Sequence, residues 1–155
     1  MATGTVSSTN ITPWQLISTV TTTTGTTATF SSLAGYKQYM LCWNGVTTVT
    51  AVGTILLNFN GTSTNYSSVL AGGASATKST TGIVLTSIYT STDGYVNIYD
   101  VLSSGPKEVA GISGENYYPA HLKGVWNNTA AITSMVATSQ ATYSAGTWTL
   151  YGIAA

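Results

Sequence analysis

Large apolar side chains recur mostly at every second position of this chain. That is the period of an extended strand, whose successive residues face opposite sides. In 37–43, Tyr39, Leu41 and Trp43 share one face while Met40 and Cys42 share the other, which predicts a central strand covered on both sides. In 53–59, Ile55, Leu57 and Phe59 alternate with Thr54, Leu56 and Asn58, and Asn60-Gly61 marks a turn. The segment 83–89 aligns Ile83, Leu85 and Tyr89, and 95–102 aligns Val96, Ile98 and Leu102. The loop Ser91-Thr92-Asp93-Gly94 between them predicts a hairpin. In 95–102, Asp100 falls on a strand face between Ile98 and Leu102, buried and hydrogen-bonded or set at a bulge. Further strands are predicted at 14–20, 26–33, 108–112, 120–126, 131–139 and 146–153. The small, polar stretch 72–82 reads as a mobile loop, and 1–13 as an arm ahead of one domain spanning 14–155. About ten short strands separated by Gly, Ser, Asn and Thr turns predict an all-β, antiparallel sandwich or barrel.

Composition narrows the function classes. Only 5% of the 155 residues are charged, against about 25% in an ordinary soluble protein. In their place stand 30 threonines and 18 serines. The four basic residues, Lys37, Lys78, Lys107 and Lys123, are balanced by Asp93, Asp100, Glu108 and Glu115. Four scattered lysines cannot form the basic stripe that nucleic acid requires, so no nucleic-acid partner is expected. No apolar run is long enough for a membrane-spanning helix, and residues 1–10 hold neither Lys, Arg nor an apolar core of a secretory signal. One cysteine excludes an internal disulfide and fits synthesis in a reducing compartment. A surface this poor in charge favours association, and it lacks the lysines and glutamates that usually blunt sheet edges. Subunit contacts are therefore expected to cover those edges.

Candidate chemistry is sparse. A glycosidase needs two carboxylates flanking a bond, and the four acids here are spread over a turn, a strand face and loop or strand-end positions. His121 with Glu115 is the sole pairing that resembles an acid–base or metal pair, yet zinc takes three or four protein ligands. His121 reads instead as a half-buried histidine near the start of a strand, and mid-strand Cys42 as a small hydrophobe. Trp43, Trp126 and Trp148 fall in predicted strands and read as core rather than as a sugar-stacking platform. No catalytic residue, cofactor or metal is expected.

Several segments, taken in order, resemble a family of tailed-phage virion proteins. They are Tyr36-Lys37-Gln38-Tyr39-Met40-Leu41, then Ile55-Leu56-Leu57-Asn58-Phe59-Asn60-Gly61, then Asn65-Tyr66-Ser67. Leu122-Lys123-Gly124-Val125-Trp126-Asn127-Asn128-Thr129-Ala130-Ala131-Ile132-Thr133-Ser134 follows, and Ser144-Ala145-Gly146-Thr147-Trp148-Thr149-Leu150-Tyr151-Gly152-Ile153 closes the set. The resemblance covers about residues 30–153 and rests on the ordered set, the last strand above all. It implies a jelly-roll-like β-sandwich found in capsid decoration (cement) proteins and in tail-associated proteins. It carries no catalytic residues. Relatives often have an aspartate or arginine near Phe59-Asn60-Gly61, where this chain has Thr62 and polar residues, which weakens any transfer of a receptor or ion site.

The expectation is a structural protein, made in the host cytoplasm and placed on the exterior of a phage particle. It would be a homotrimer that binds the major capsid protein and stabilises the head shell. Val6, Ile11 and Trp14, the large apolar side chains at and just beyond the arm, are the expected contact residues. The alternative is a tail-fibre or tail-tip module whose exposed aromatics bind host-surface glycan.

Overall fold

Threonine, valine, isoleucine and aromatic residues suit a pleated, half-buried surface, and the chain uses them almost throughout. The computed structural model describes residues 13–50, 54–72, 75–87, 91–115 and 118–155. Among them the chain forms twelve strands and two antiparallel sheets packed as a sandwich. In chain order these are β1 (Gln15–Thr21), β2 (Thr27–Phe30), β3 (Tyr36–Thr48), β4 (Thr54–Phe59), β5 (Tyr66–Gly72) and β6 (Ser75–Ser79). There follow β7 (Ile83–Ser87), β8 (Thr92–Ile98), β9 (Lys107–Glu115), β10 (Tyr118–Trp126), β11 (Met135–Ser139) and β12 (Tyr143–Ala154). The large sheet has the order β1-β12-β3-β8-β9-β10-β5-β6 and the small one β2-β11-β4-β7.

The pairings nest. β1 pairs with β12, β2 with β11, β3 with β8 and β4 with β7, all antiparallel. A chain folded as one long hairpin and wrapped over two sheets in this way is a jelly roll. Two hairpins are inserted into it: β5–β6 between β4 and β7, and β9–β10 between β8 and β11. They join each other through β10 and β5 and widen the large sheet. The widened sheet lies over β7, where Ser68 of β5 donates to the Gly82 carbonyl (2.9 Å) and accepts from the Val84 N–H (3.1 Å). Covered on both sides, Ile83, Val84 and Leu85 are all buried, a continuous apolar run rather than an alternation.

The inward positions of both sheets make one core. Tyr39, Leu41 and Trp43 from β3 meet Ile55, Leu57 and Phe59 from β4, as their alternation predicts, and all six are buried. Trp43, Trp126 and Trp148 are buried as well, in two aromatic groups. Trp148 lies 5.7 Å from Trp43 and 6.1 Å from Tyr143 between ring centroids, and Phe59, Tyr66 and Trp126 form the second group at 5.5–6.1 Å.

Tyr39 sits in this core with its hydroxyl away from any protein partner. Burial, with a smaller contribution from Tyr36, pushes its pKa up to about 12. The folded state therefore keeps a proton that the unfolded chain releases from about pH 10. Tyr39 thus contributes stability that is present below pH 10 and lost as pH rises towards 12, at about 1.4 kcal/mol per pH unit. Burial raises Tyr143 in the same sense. Tyr39→Phe is expected to raise stability at neutral pH by up to about 1 kcal/mol, because an unpaired buried hydroxyl is removed. It should also flatten the alkaline decline. Urea unfolding at pH 7 and pH 11 checks both, and a loss of stability in the variant would show that the hydroxyl is paired.

The structure corrects four expectations. The stretch 72–82 is not a mobile loop, because Ser75–Ser79 forms β6 on the edge of β5. Ala76 and Lys78 are exposed and Thr77 and Ser79 only half-buried, so neither face of β6 requires large apolar side chains. The expected hairpin of 83–89 with 95–102 does not form, since β7 belongs to the small sheet and β8 to the large one. Asp93-Gly94, expected in a turn, lies inside β8. There Gly94 faces the Trp43 indole so closely that a Cβ would stand 2.4 Å from Cζ2. Asp93 Oδ1 accepts from the Gly45 N–H (2.6 Å) and from Asn44 Nδ2 (3.0 Å). Gly45, at φ 59°, forms the β3 bulge where the register with β8 shifts. Finally, β8 ends at Ile98 and Asp100 has φ 57°, so Val101 is buried and Leu102 turns outward.

Candidate functional site: an outward sheet face

A residue and its direct cross-strand partner point to the same side of a sheet. The registers therefore trace rows across the outward face of the large sheet. One row runs Thr19, Thr149, Cys42, Tyr95, Ile112, His121, Ala71 and Ala76. The next runs Leu16, Tyr151, Met40, Asn97, Ala110, Lys123, Val69 and Lys78. Tyr95 is 39% exposed, Tyr99 38% and Ile112 37%, and Leu16 at the edge is 62% exposed. Met40, Cys42, Tyr151 and Ile153 are half-buried beside them. Large apolar groups thus stand at several outward positions of β12, β3, β8 and β9, among Thr149, Asn97 and Ala110. His121, Lys123 and Lys78 stand on β10 and β6, and Glu108 near the far end of β9. Burial pushes the Cys42 thiol up, which keeps it protonated at neutral pH.

The acids have other duties or stand apart. Asp93 holds the β3 bulge, Asp100 is exposed in the turn after β8, and Glu108 is exposed on the outward face. Glu115 ends β9, three residues beyond Ile112, the register partner of His121. His121 is exposed rather than half-buried, and it sits in the middle of β10. Among the described residues no three of His, Cys, Asp and Glu lie close enough to hold a metal ion. No helix there is long and apolar enough to cross a membrane. A depression of about 260 Å³ is lined by Asn65, Ser104, Pro106 and Asn127, with no titratable group in its wall.

The floor of that region is built around Lys107, which is fully buried. Its ammonium donates to the carbonyls of Ser103 (2.7 Å), Gly105 (2.8 Å) and Asn128 (2.8 Å) and lies 5.8 Å from the Trp126 ring centroid. Burial lowers its pKa, and Asp100 acts in the opposite direction.

Of the expected contact residues, Val6 and Ile11 lie outside the described residues. Trp14 is 37% exposed just before β1, which is an edge strand of the large sheet among the described residues. Tyr95, Tyr99, Ile112 and Tyr151 were missed as surface groups. The signal was present in 95–99, where Tyr95 and Tyr99 alternate with Val96 and Ile98 and so make both faces apolar.

The segments that carry the phage-protein resemblance meet one another in the fold. Leu150, Tyr151 and Gly152 pair with Leu41, Met40 and Tyr39. Trp126 pairs with Tyr66, and the Asn127 N–H donates to the Asn65 carbonyl (2.8 Å). The Asn60 side chain holds the 131–134 loop. Comparison with protein-family models, curated proteins and solved structures found no match.

Proposed function

We propose that this chain is a structural protein of a tailed-phage particle, a capsid decoration protein that sits outside the head as a homotrimer and stabilises the shell. The observation that carries this reading is the outward face of the large sheet. Tyr95, Tyr99 and Ile112 are each more than a third exposed there, in a chain that is only 5% charged. Contiguous exposed apolar surface of this kind marks a contact site. The jelly roll is shared with viral capsid domains, but also with lectins, so the fold supports the reading without deciding it. The ordered segments that resemble phage virion proteins add to it.

The mechanism is thermodynamic. A protein that binds the assembled shell and not its free subunits stabilises the shell by mass action, by about 2.7 kcal/mol per site at a hundredfold excess over Kd. The arm, with Val6, Ile11 and then Trp14, is suited to adding a strand to a neighbour's sheet edge. Purified protein is expected to bind phage heads that lack it and to raise the temperature at which they release DNA. Deleting residues 2–12 should weaken that binding at least tenfold. If heads gain nothing from the protein while a glycan titration saturates and shifts tryptophan fluorescence, the chain is a tail-tip binder instead.

A further inference from the structure

We infer that a second copy of this chain covers the charge-free part of the outward face, the part formed by β1, β12, β3, β8 and the middle of β9. The inference rests on the reading that the chain works in an assembly, and it names the partner for that face. Size is the first support. Five strands about 4.8 Å apart and about 30 Å long present about 700 Å² per copy, close to the roughly 800 Å² that each partner buries in a standard-size interface. The second support is the distribution of charge. In an assembly with a symmetry axis through this face, residues near the axis meet their own copies, so any charge there meets a like charge. Between Asp93 at one end of β8 and Glu108 near the other end of β9, the outward residues are Gln38, Met40 and Cys42 on β3, Tyr95 and Asn97 on β8, and Ala110 and Ile112 on β9, all without charge at neutral pH. Lys123 and Lys78 lie beyond them, on β10 and β6, where they stay in solvent when the neutral part is covered. Between Asp93 and Glu108 a strongly charged partner would find nothing on this face to pair with. A sister copy meets neither repulsion nor a buried ion.

Sedimentation equilibrium of the full chain tests this. The wild type should be an oligomer at micromolar concentration. Tyr95→Lys combined with Ile112→Lys should weaken self-association at least a hundredfold. Leu102→Lys, in the exposed turn after β8 and outside the strands of the face, should leave it unchanged. Asn97→Lys exchanges one outward polar residue for a charged one and keeps the test valid if the double variant does not fold. It should weaken association at least tenfold. A wild type that stays monomeric, or face variants that associate as tightly as the wild type, overturns the inference. Head binding is measured separately. Heads that bind a face variant with an unchanged oligomer mass contradict the face assignment and leave the particle reading standing. An oligomer that the face variants dissolve, but that binds no heads, contradicts the particle reading alone.

Discussion

Lys107→Met is expected to destabilise the protein by about 3 kcal/mol, the order expected when buried acceptors lose a charged donor. For a chain of this length that lowers Tm by about 6–12 °C. An ammonium has three donors and no acceptor. All three are used here, on the carbonyls of Ser103, Gly105 and Asn128. Those carbonyls belong to the loop before β9 and the loop after β10, so one side chain ties two loops that share no ladder. Methionine keeps the apolar stem against Trp126 but leaves three carbonyls without their donor. Lys107→Arg should not rescue the fold, because a planar guanidinium fork cannot place three donors on carbonyls that converge on one point. Thermal unfolding followed by circular dichroism reads the effect. A Tm change under about 2 °C would show that the cage contributes nothing.

Asn60→Ala is expected to cost about 2–3 kcal/mol. Its Oδ1 accepts from the Thr133 N–H (2.8 Å), the Thr133 hydroxyl (3.1 Å) and the Ser134 N–H (3.1 Å), and its Nδ2 donates to the Ala131 carbonyl (2.8 Å). The backbone stands at φ 52°, in the left-handed region that asparagine tolerates and alanine does not. Asn60→Gly separates the two causes. It removes the strain but not the lost bonds, so it should recover part of the stability and no more. If Asn60→Gly matches the wild type in urea unfolding, the side-chain bonds to the 131–134 loop are without effect.

The sandwich was legible because its strongest signal is local. Ile55, Leu57 and Phe59 alternate with a polar-leaning face, and a two-residue period of that kind places the inward side whatever the partner strand is. The pairing of strands was legible only in part. Residues 83–89 and 95–102 have the pattern of a hairpin, yet the chain crosses between sheets there, since β7 is claimed by β4 and β8 by β3. Nothing local distinguishes an Asp-Gly turn from an Asp-Gly that caps a bulge in another strand. Lys107 was likewise opaque. Its three acceptors lie 2, 4 and 21 residues away in sequence, and only the tertiary fold brings the last to it. The outward face was half visible. Met40 and Cys42 predicted coverage on both sides of β3, but that the same apolarity continues through Tyr95 and Ile112 depends on register.

The claim on which the account turns is that neighbours cover this face. Hydroxyl-radical footprinting of the assembled protein, compared with the same protein dissociated by dilution, tests it directly. Protection of Met40, Tyr95 and Ile112 on assembly, with Leu102 oxidised equally in both states, is the predicted result. Equal oxidation of Met40, Tyr95 and Ile112 in the two states would contradict it.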